Sequence, residues 1–239
     1  MTIHIGDRWG KRYEYFRYYV PFYIKYGIRF SDFSHHGEIL QHPMMYSSDG
    51  FRPSPRDIVF DVGAQYGDFS LLWDKYFGAR AFAFEPLKAN YEEMLRDLRL
   101  NHSIRTQPYN VLVGNGDPVP LEIHGNMITK HVRGQADATD APTISIDGFV
   151  AEHGVIPDFI KIDVEGFEYE VLKGSETVLR KYSPKIIMET HSIELAWKCD
   201  VFLNRQGYNQ SQVGRQARGN GWMDEVVNRF YCIDRETFR

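Results

Sequence analysis

The sequence predicts an α/β fold in which a mostly parallel, doubly wound sheet carries helices on both faces. Three observations lead to this prediction. Apolar runs of strand character alternate with stretches of helical periodicity from residue 57 onward, which is typical of right-handed crossover units. The first run leads directly into a turn framed by Gly63 and Gly67, as at the start of a nucleotide-binding unit. Most of the predicted parallel strands also end in an acidic residue.

The individual elements follow from the spacing of apolar residues and from the turn residues between them. Strands are predicted at residues 57–62, 80–84, 105–113, 159–163, 186–189, 208–213 and 225–233. Helices are predicted at 68–77, 88–100, 147–153, 167–180 and 193–205. Residues 118–132 contain two short alternating pieces joined at Gly125-Asn126, which predicts a small β-hairpin.

The composition favours one large domain in a reducing compartment. The chain has 239 residues, of which 43% are hydrophobic, enough for a sizeable single core. A net charge of -4 gives no reason to expect DNA as a partner. Cys199 and Cys232 form no C-x-x-C motif, and early charged residues argue against a signal peptide. Because no apolar run is long enough for a membrane span, we expect a cytoplasmic protein.

Residues 1–50 differ in character from the rest and predict an aromatic-rich helical extension ahead of a domain at 51–239. Aromatic residues crowd positions 13–26 among basic ones, and Pro21 should break or kink a helix there. Aromatic stripes usually pack against a core, which favours a cover on the sheet. A substrate lid, a homodimer contact and a membrane-surface helix are the open alternatives.

The glycine turn at residues 63–67 favours S-adenosylmethionine over a dinucleotide. Its spacing is G-x-x-x-G rather than the G-x-G-x-x-G of NAD-binding enzymes. Without a Cβ, glycine lets a flat ligand lie against the main chain. Asp61 ends the preceding strand, where a carboxylate repels a pyrophosphate and attracts the ammonium and sulfonium of S-adenosylmethionine. Tyr66 lies in the same turn, and an aromatic face beside a sulfonium is favourable.

Glu85 ends the second predicted strand, roughly 20 residues after the glycine turn, where dinucleotide-binding enzymes hold a ribose diol. Both ribose hydroxyls can donate hydrogen bonds to one carboxylate. The alternative is an acid at a helix N-terminus, since a helix is predicted to begin near Leu87. The matching spacing favours the ribose.

Further polar residues follow strands whose carboxyl ends meet at one edge of the sheet, where ligands bind in this class of fold. Asp163, Glu165 and His191 are candidates for a general base, although His191 has the alternative role of capping the next helix. Clustered acids favour a cationic ligand or a metal. Asp163, Glu165 and Glu189 could offer oxygens to Mg²⁺, but no tight ligand spacing supports a metal and none is predicted.

Candidate substrate-binding residues follow the sixth predicted strand. If that strand is parallel to the first five, Arg215, Arg218 and Trp222 reach the same edge of the sheet as the acids. The arginines could hold an anionic or sugar acceptor on which Trp222 stacks, with Glu189 on the same edge. A solvated hairpin loop is the alternative.

These motifs together resemble the FkbM-type family of methyltransferases between residues 57 and 192. The segments that carry the resemblance are Val59–Ala64, Phe84–Pro86, Thr143–Asp147, Ile160–Gly166, Glu170–Gly174 and Glu189–His191. The resemblance implies a class I Rossmann-like methyltransferase fold with seven strands, the last antiparallel, and S-adenosylmethionine as the methyl donor. The resemblance also implies which residues contact the cofactor. The methionine end would be lined by Asp61, Gly63, Ala64 and Gly67, the ribose would be bound by Glu85, and the adenine would lie near Asn110.

The predicted function is O-methylation of a small hydroxylated molecule, of the sugar or natural-product type that the resemblance implies. The alternative is an RNA-directed methyltransferase or an RNA-binding relative, supported only by the basic aromatic N-terminus and the arginine loop. RNA binding of that kind would depend strongly on salt. An NAD-dependent oxidoreductase is disfavoured by the glycine spacing and by the acidic edge of the sheet.

Overall fold

The computed structural model describes residues 15–32, 35–47, 50–117, 121–124, 127–130, 142–215 and 227–233. The helices are α1 (Val20–Tyr26, preceded by a π-helical turn Tyr15–Tyr19), α2 (Gly37–Gln41), α3 (Asp68–Leu72, followed by a π-helical turn Trp73–Phe77), α4 (Lys88–Leu100), α5 (Ile146–His153), α6 (Glu168–Lys173), α7 (Glu176–Tyr182) and α8 (Ile193–Arg205). The strands are β1 (Ile58–Val62), β2 (Arg80–Phe84), β3 (Thr106–Tyr109), β4 (Leu112–Val113), β5 (Leu121–His124), β6 (Met127–Lys130), β7 (Thr143–Ile144), β8 (Phe159–Ile162), β9 (Lys185–Thr190), β10 (Asn209–Arg215) and β11 (Val227–Cys232).

Seven of the strands form one sheet in the order β10-β11-β9-β8-β1-β2-β3. β11 is antiparallel to both β9 and β10, and the remaining neighbours pair in parallel. The carboxyl ends of six strands therefore lie at the same edge. This topology confirms the predicted seven-stranded, mostly parallel α/β sheet with an antiparallel last strand.

Alternation along the strands places one hydrophobic layer on each face of the sheet. Val59 of β1 packs in the first layer, whereas Phe60 and Val62 pack in the second, as a side-chain period of two requires. Helices α3 and α4 and the N-terminal segment cover the first face, and α5 to α8 cover the second. The glycine turn and the strand ends are thus held between two packed layers.

The described part of the N-terminal segment packs on the first face. Phe22, Ile28, Phe30 and Ile39 are buried there against side chains of α3 and α4. Pro21 lies in the first turn of α1, directly after the π-helical turn, where a missing N–H group costs little. The helix therefore continues through Pro21 without a break, and a kink there stays a prediction.

A buried histidine connects this segment to α3 and α4 through ion pairs. His36 lies with Nδ1 2.5 Å from an oxygen of Asp68 in α3 and with Nε2 3.2 Å from an oxygen of Asp97 in α4. Burial lowers the pKa of His36, but the two carboxylates outweigh it and raise the pKa to about 10. His36 is therefore a charged imidazolium at neutral pH, and it joins three elements.

Two predicted elements are divided in the structure. The strand expected at 105–113 becomes β3 and β4, and β4 leaves the main sheet to pair with β7. The helix expected at 167–180 becomes α6 and α7, which are separated at Gly174. A Cβ on Gly174 would lie 1.9 Å from the carbonyl oxygen of Gly114, so close contact with the chain after β4 occurs where the helix is interrupted.

The hairpin predicted at 118–132 is confirmed by the antiparallel pairing of β5 with β6, although its turn at Gly125-Asn126 lies outside the described residues. Within the part of the chain that the structure describes, no helix combines the length and the apolar character needed to cross a bilayer.

Candidate active site

A cavity of about 350 Å³ opens at the carboxyl ends of β1, β2 and β8, the edge at which open α/β sheets bind ligands. Five predicted site residues line it: Gly63, Ala64, Glu85, Asp163 and Glu165. Apolar side chains complete the wall, among them Phe84, Leu112, Val113 and Phe167. The cavity thus combines apolar and polar side chains, with Glu85 and the pair Asp163 and Glu165 on either side of β1, as in many small-molecule sites.

The glycine turn brings the ends of β1 and β8 into contact. Gly63 has φ 76°, and a Cβ there would lie 1.7 Å from the carbonyl oxygen of Asp163. Only glycine fits because the main chain after β8 occupies the space that a side chain would need. Gly63 thus lets the neighbouring strand end approach, and because it also lines the cavity, its contact with the cofactor stays a prediction.

The Glu85 carboxylate is fixed mainly by hydrogen bonds from the main chain. Its carboxylate accepts hydrogen bonds from the backbone N–H groups of Gln65 and Leu87, each at 2.9 Å, and from the Asn90 amide at 3.3 Å. Burial raises the pKa of Glu85 to about 7, although these hydrogen bonds oppose the shift. A carboxylate has about four acceptor positions, so one remains for a ligand hydroxyl.

Asn110 supports this loop rather than the cavity. Its side-chain amide donates to the carbonyl oxygens of Glu85 at 2.8 Å and Pro86 at 3.0 Å. These bonds fix the main chain that carries the Glu85 carboxylate. Contact of Asn110 with an adenine stays a prediction.

Asp61 is placed behind the cavity wall. It is the fourth of five residues in β1 and is only 1% exposed. Its carboxylate lies 3.2 Å from the ammonium of Lys161 in β8 and accepts a hydrogen bond from the Ser70 hydroxyl at 2.7 Å. The cation that Asp61 meets in the structure is therefore a lysine, and its contact with the cofactor stays a prediction.

Lys161 connects both halves of the site. Its ammonium donates to the Gly63 carbonyl at 2.7 Å and lies 3.8 Å from an oxygen of Asp163. Burial lowers the pKa of Lys161, but Asp61 and Asp163 outweigh it and the net shift is upward. A charged lysine thus offsets two carboxylates and fixes the turn after β1.

Tyr66 and Gly67 serve packing in the structure. The Tyr66 ring stacks on His35 with centroids 5.5 Å apart and meets His36 edge-on at 5.4 Å. A Cβ on Gly67 would lie 2.6 Å from the Met94 side chain of α4. Their cofactor contacts stay predictions.

A cluster of acids surrounds one histidine beside the cavity-lining Asp163 and Glu165. His191 lies with Nδ1 2.7 Å from an oxygen of Glu168, and with Nε2 3.3 Å from Glu165 and 3.7 Å from both Asp163 and Glu189. Burial lowers the pKa of His191, but hydrogen bonding to Glu168 and the surrounding carboxylates raise it to about 9. His191 therefore carries its proton at neutral pH, which favours a carboxylate over His191 as the proton acceptor.

Tyr46 of the N-terminal segment reaches into this cluster. Its hydroxyl is 2.8 Å from an oxygen of Asp163 and 2.8 Å from an oxygen of Glu189. The hydroxyl carries a single proton, so it can donate to only one of the two carboxylates at a time. Burial and the neighbouring Asp163 raise the pKa of Glu189 to about 7.

The predicted substrate loop is only partly described. β10 is antiparallel to β11, which is antiparallel to β9. β10 therefore ends at the same edge as the acids, as the prediction required. Arg215 ends β10, while Arg218 and Trp222 lie outside the described residues. Acceptor binding by the three stays a prediction.

Sequence reasoning missed Tyr46, Glu168 and the pairing of Lys161 with Asp61. Lys161 carried a usable signal, because a lysine inside an apolar strand needs a buried acidic partner. Glu168 carried no signal, because it lies in the first turn of α6, where an acid is favoured whether or not it contacts His191. Tyr46 carried no signal, since only the folded chain brings it to Asp163, 117 residues away.

Comparisons with known proteins show that the chain is similar to methyltransferases. A model of the methyltransferase FkbM domain matches residues 61–209. The chain is 31% identical to the hexuronic acid methyltransferase AglP of Haloferax volcanii, over 57% of this chain and 56% of that protein. It is 27% identical to the methyltransferase sdnD of Sordaria araneosa, over 55% of this chain and 65% of that protein. The chain thus spans less than two thirds of the length of either relative.

Solved structures show the same fold. The FkbM methyltransferase of Methylobacillus flagellatus KT matches with a TM-score of 0.52 and 20% identity, over 79% of this chain and 47% of that chain. A methyltransferase of Pyrococcus furiosus matches with a TM-score of 0.55 and 11% identity, over 92% of this chain and 96% of that chain.

Proposed function

Since the chain belongs to the methyltransferase FkbM family, we propose that it methylates a hydroxyl oxygen of a small molecule. Family membership makes S-adenosylmethionine the cofactor, as predicted from the glycine turn. The observation that carries the proposal is the cavity with Glu85 at one end and the pair Asp163 and Glu165 at the other.

The residues at the first end fit a nucleoside. The Glu85 carboxylate is fixed by two backbone N–H groups and can accept a hydrogen bond from a ribose hydroxyl. Leu112 and Val113 line the cavity beside it and offer apolar surface to a base. When bound, S-adenosylmethionine supplies a methyl group on a sulfonium, and the protein must place an oxygen opposite the sulfur.

At the second end, the carboxylates can accept the proton that the acceptor hydroxyl loses. Asp163 and Glu165 line the cavity, and their side chains are 20% and 30% exposed. Glu165 is the more exposed of the two, so we assign proton transfer to Glu165. Its φ of 49° is unusual for a residue with a side chain, and such strain is common at functional sites. A positioned base contributes about 10²–10⁴-fold in rate.

The acceptor that we propose is a sugar or a polyhydroxylated natural product. Support comes from the similarity to a relative named as a hexuronic acid methyltransferase. A set of carboxylates with tyrosine and histidine donors also suits a ligand with several hydroxyls.

Two measurements test the proposal. In calorimetry, S-adenosylmethionine and its demethylated product should bind, and NAD should not. In a radiolabelled methyl-transfer screen, sugars and polyketides should accept the label on oxygen, and RNA should not. Binding of NAD alone, or labelling of RNA alone, would contradict the proposal.

A further inference from the structure

We propose that Asp163, Glu189 and His191 form a site for one divalent metal cation. The three offer ligand atoms that all lie within 4.8 Å of one another. Asp163 follows β8, and the neighbouring parallel strand β9 carries Glu189 and leads into His191. Adjacent strand ends therefore bring together ligands that are far apart in sequence.

The distances suit a bound cation. His191 Nε2 lies 3.7 Å from Asp163 Oδ1 and 3.7 Å from Glu189 Oε1. Metal–ligand bonds of roughly 2.0–2.3 Å place neighbouring ligands of one ion roughly 3–4 Å apart. Small side-chain adjustments are enough to close the site.

Each of the three proposed ligand side chains has a second polar atom that contacts a neighbouring residue. Glu168 lies 2.7 Å from His191 Nδ1, which leaves Nε2 toward the carboxylates. The Tyr46 hydroxyl contacts Asp163 Oδ2 and Glu189 Oε2, which leaves Oδ1 and Oε1 toward His191. A carboxylate behind a histidine and hydrogen bonds behind ligating carboxylates are the usual support of metal sites.

The histidine nitrogen gives an independent indication. His191 Nε2 is buried and makes no hydrogen bond with the described residues. Yet carboxylate oxygens of Glu165, Asp163 and Glu189 surround it at 3.3–3.7 Å. A nitrogen and several oxygens that converge at these distances fit a cation between them.

The ligand types indicate the kind of metal. Two carboxylate oxygens and one imidazole nitrogen favour Mn²⁺, Fe²⁺ or Zn²⁺ over Mg²⁺ and Ca²⁺. Asp163 also lines the cavity, so the ion has a route of entry and can take a substrate oxygen as a further ligand. If the proposed methyl transfer holds, the cation lowers the pKa of the acceptor hydroxyl, and Glu165 is left to accept its proton.

The test is titration of the chelator-treated full-length chain with MnCl₂, followed by calorimetry and by the electron paramagnetic resonance of free Mn²⁺. We expect one ion per chain. Asp163→Asn and His191→Ala should weaken binding at least about tenfold, and Tyr46→Phe should weaken it by about 10–100-fold. His42→Ala, which removes an exposed histidine, is the matched control and should leave binding unchanged.

A spectroscopic measurement on the wild-type protein covers the case in which a variant does not fold. Electron spin echoes of bound Mn²⁺ should show coupling to an imidazole nitrogen. Absence of saturable binding of both Mn²⁺ and Zn²⁺, or bound Mn²⁺ without nitrogen coupling, overturns the metal site. If methyl transfer persists in chelator and no cation binds, the metal site is contradicted and the proposed function is not. If a cation binds and S-adenosylmethionine does not, the proposed function is contradicted and the metal site is not.

Discussion

The two ends of the cavity are built in different ways. At the proposed cofactor end, Glu85 is held by main-chain N–H groups of Gln65 and Leu87, which lie 20 and 2 residues away in sequence. At the proposed acceptor end, Asp163 and His191 are held by side chains of Tyr46 and Glu168, and the span from Tyr46 to Asp163 is 117 residues. Local main-chain geometry thus builds one end, and long-range side-chain contacts build the other. We therefore expect substitutions at one end to change mainly turnover and substitutions at the other end to change mainly cofactor affinity.

The largest expected effect is on turnover at the acceptor end. Glu165→Gln should lower kcat for methyl transfer by about 10²–10⁴-fold, because the acceptor hydroxyl loses its base. The dissociation constant of S-adenosylmethionine should stay within about twofold, since Glu85 is held by Gln65, Leu87 and Asn90 rather than by Glu165. Single-turnover kinetics with calorimetry on the same preparation checks both. Unchanged turnover would move the proton transfer to another group.

The next effect is on the stability that both ends share. Gly63→Ala should lower the free energy of unfolding by about 3 kcal/mol or more, because its Cβ would meet the Asp163 carbonyl at 1.7 Å. Gly154→Ala is the matched control. Gly154 has a similar φ of 67°, and a Cβ there would have nothing within 4 Å, so its loss should be about 1–2 kcal/mol. Urea unfolding measures the difference between the two variants. An equal decrease in the free energy of unfolding would show that the clash with Asp163 contributes nothing to the effect of Gly63→Ala.

A smaller effect is expected on cofactor affinity. Glu85→Gln should weaken S-adenosylmethionine binding by about 10–100-fold, since a charged hydrogen bond contributes roughly 1.5–3 kcal/mol. Methyl transfer at saturating cofactor should fall much less than in Glu165→Gln. Glu92→Gln, at an exposed position of α4, is the control for calorimetry. If Glu85→Gln binds like wild type, the ribose does not lie at Glu85.

The smallest effect is the pH dependence of cofactor binding. Burial raises the pKa of Glu85 from 4.5 to about 7, so the empty protein holds a proton there below neutrality. The ionised carboxylate accepts ribose hydroxyls better, and binding should therefore strengthen as pH rises from 5.5 to 8 and then level off. The same shift makes ionisation of Glu85 disfavour the empty fold as pH rises from 4.5 to 7. Calorimetry across this range should show that the binding constant of the wild-type protein depends on pH and that the binding constant of Glu85→Gln does not. The same pH dependence in Glu85→Gln would assign the titration to another group.

The same contrast explains how far the sequence could predict the molecule. The strand ends, the glycine turn and Glu85 were predictable because each depends on local spacing, and the sheet topology followed from the family resemblance. The pairing of Asp61 with Lys161 has no local signal, because the two residues lie in different strands. The place of Asn110 near an adenine was implied by the resemblance alone and stays a prediction, and the bonds from its amide to the loop of Glu85 are visible only in the fold. Contacts between distant strands and the N-terminal segment become visible only in the fold.

The central claim is that a single cavity holds the cofactor with its ribose at Glu85 and its sulfur toward Asp163 and Glu165. The most direct test is a crystal structure of the chain soaked with S-adenosylhomocysteine. We expect a ribose hydroxyl at hydrogen-bonding distance from Glu85, and the sulfur on the side of the cavity formed by the residues after β8. Density for the adenosyl group at another place, or none at a saturating concentration, would contradict the account.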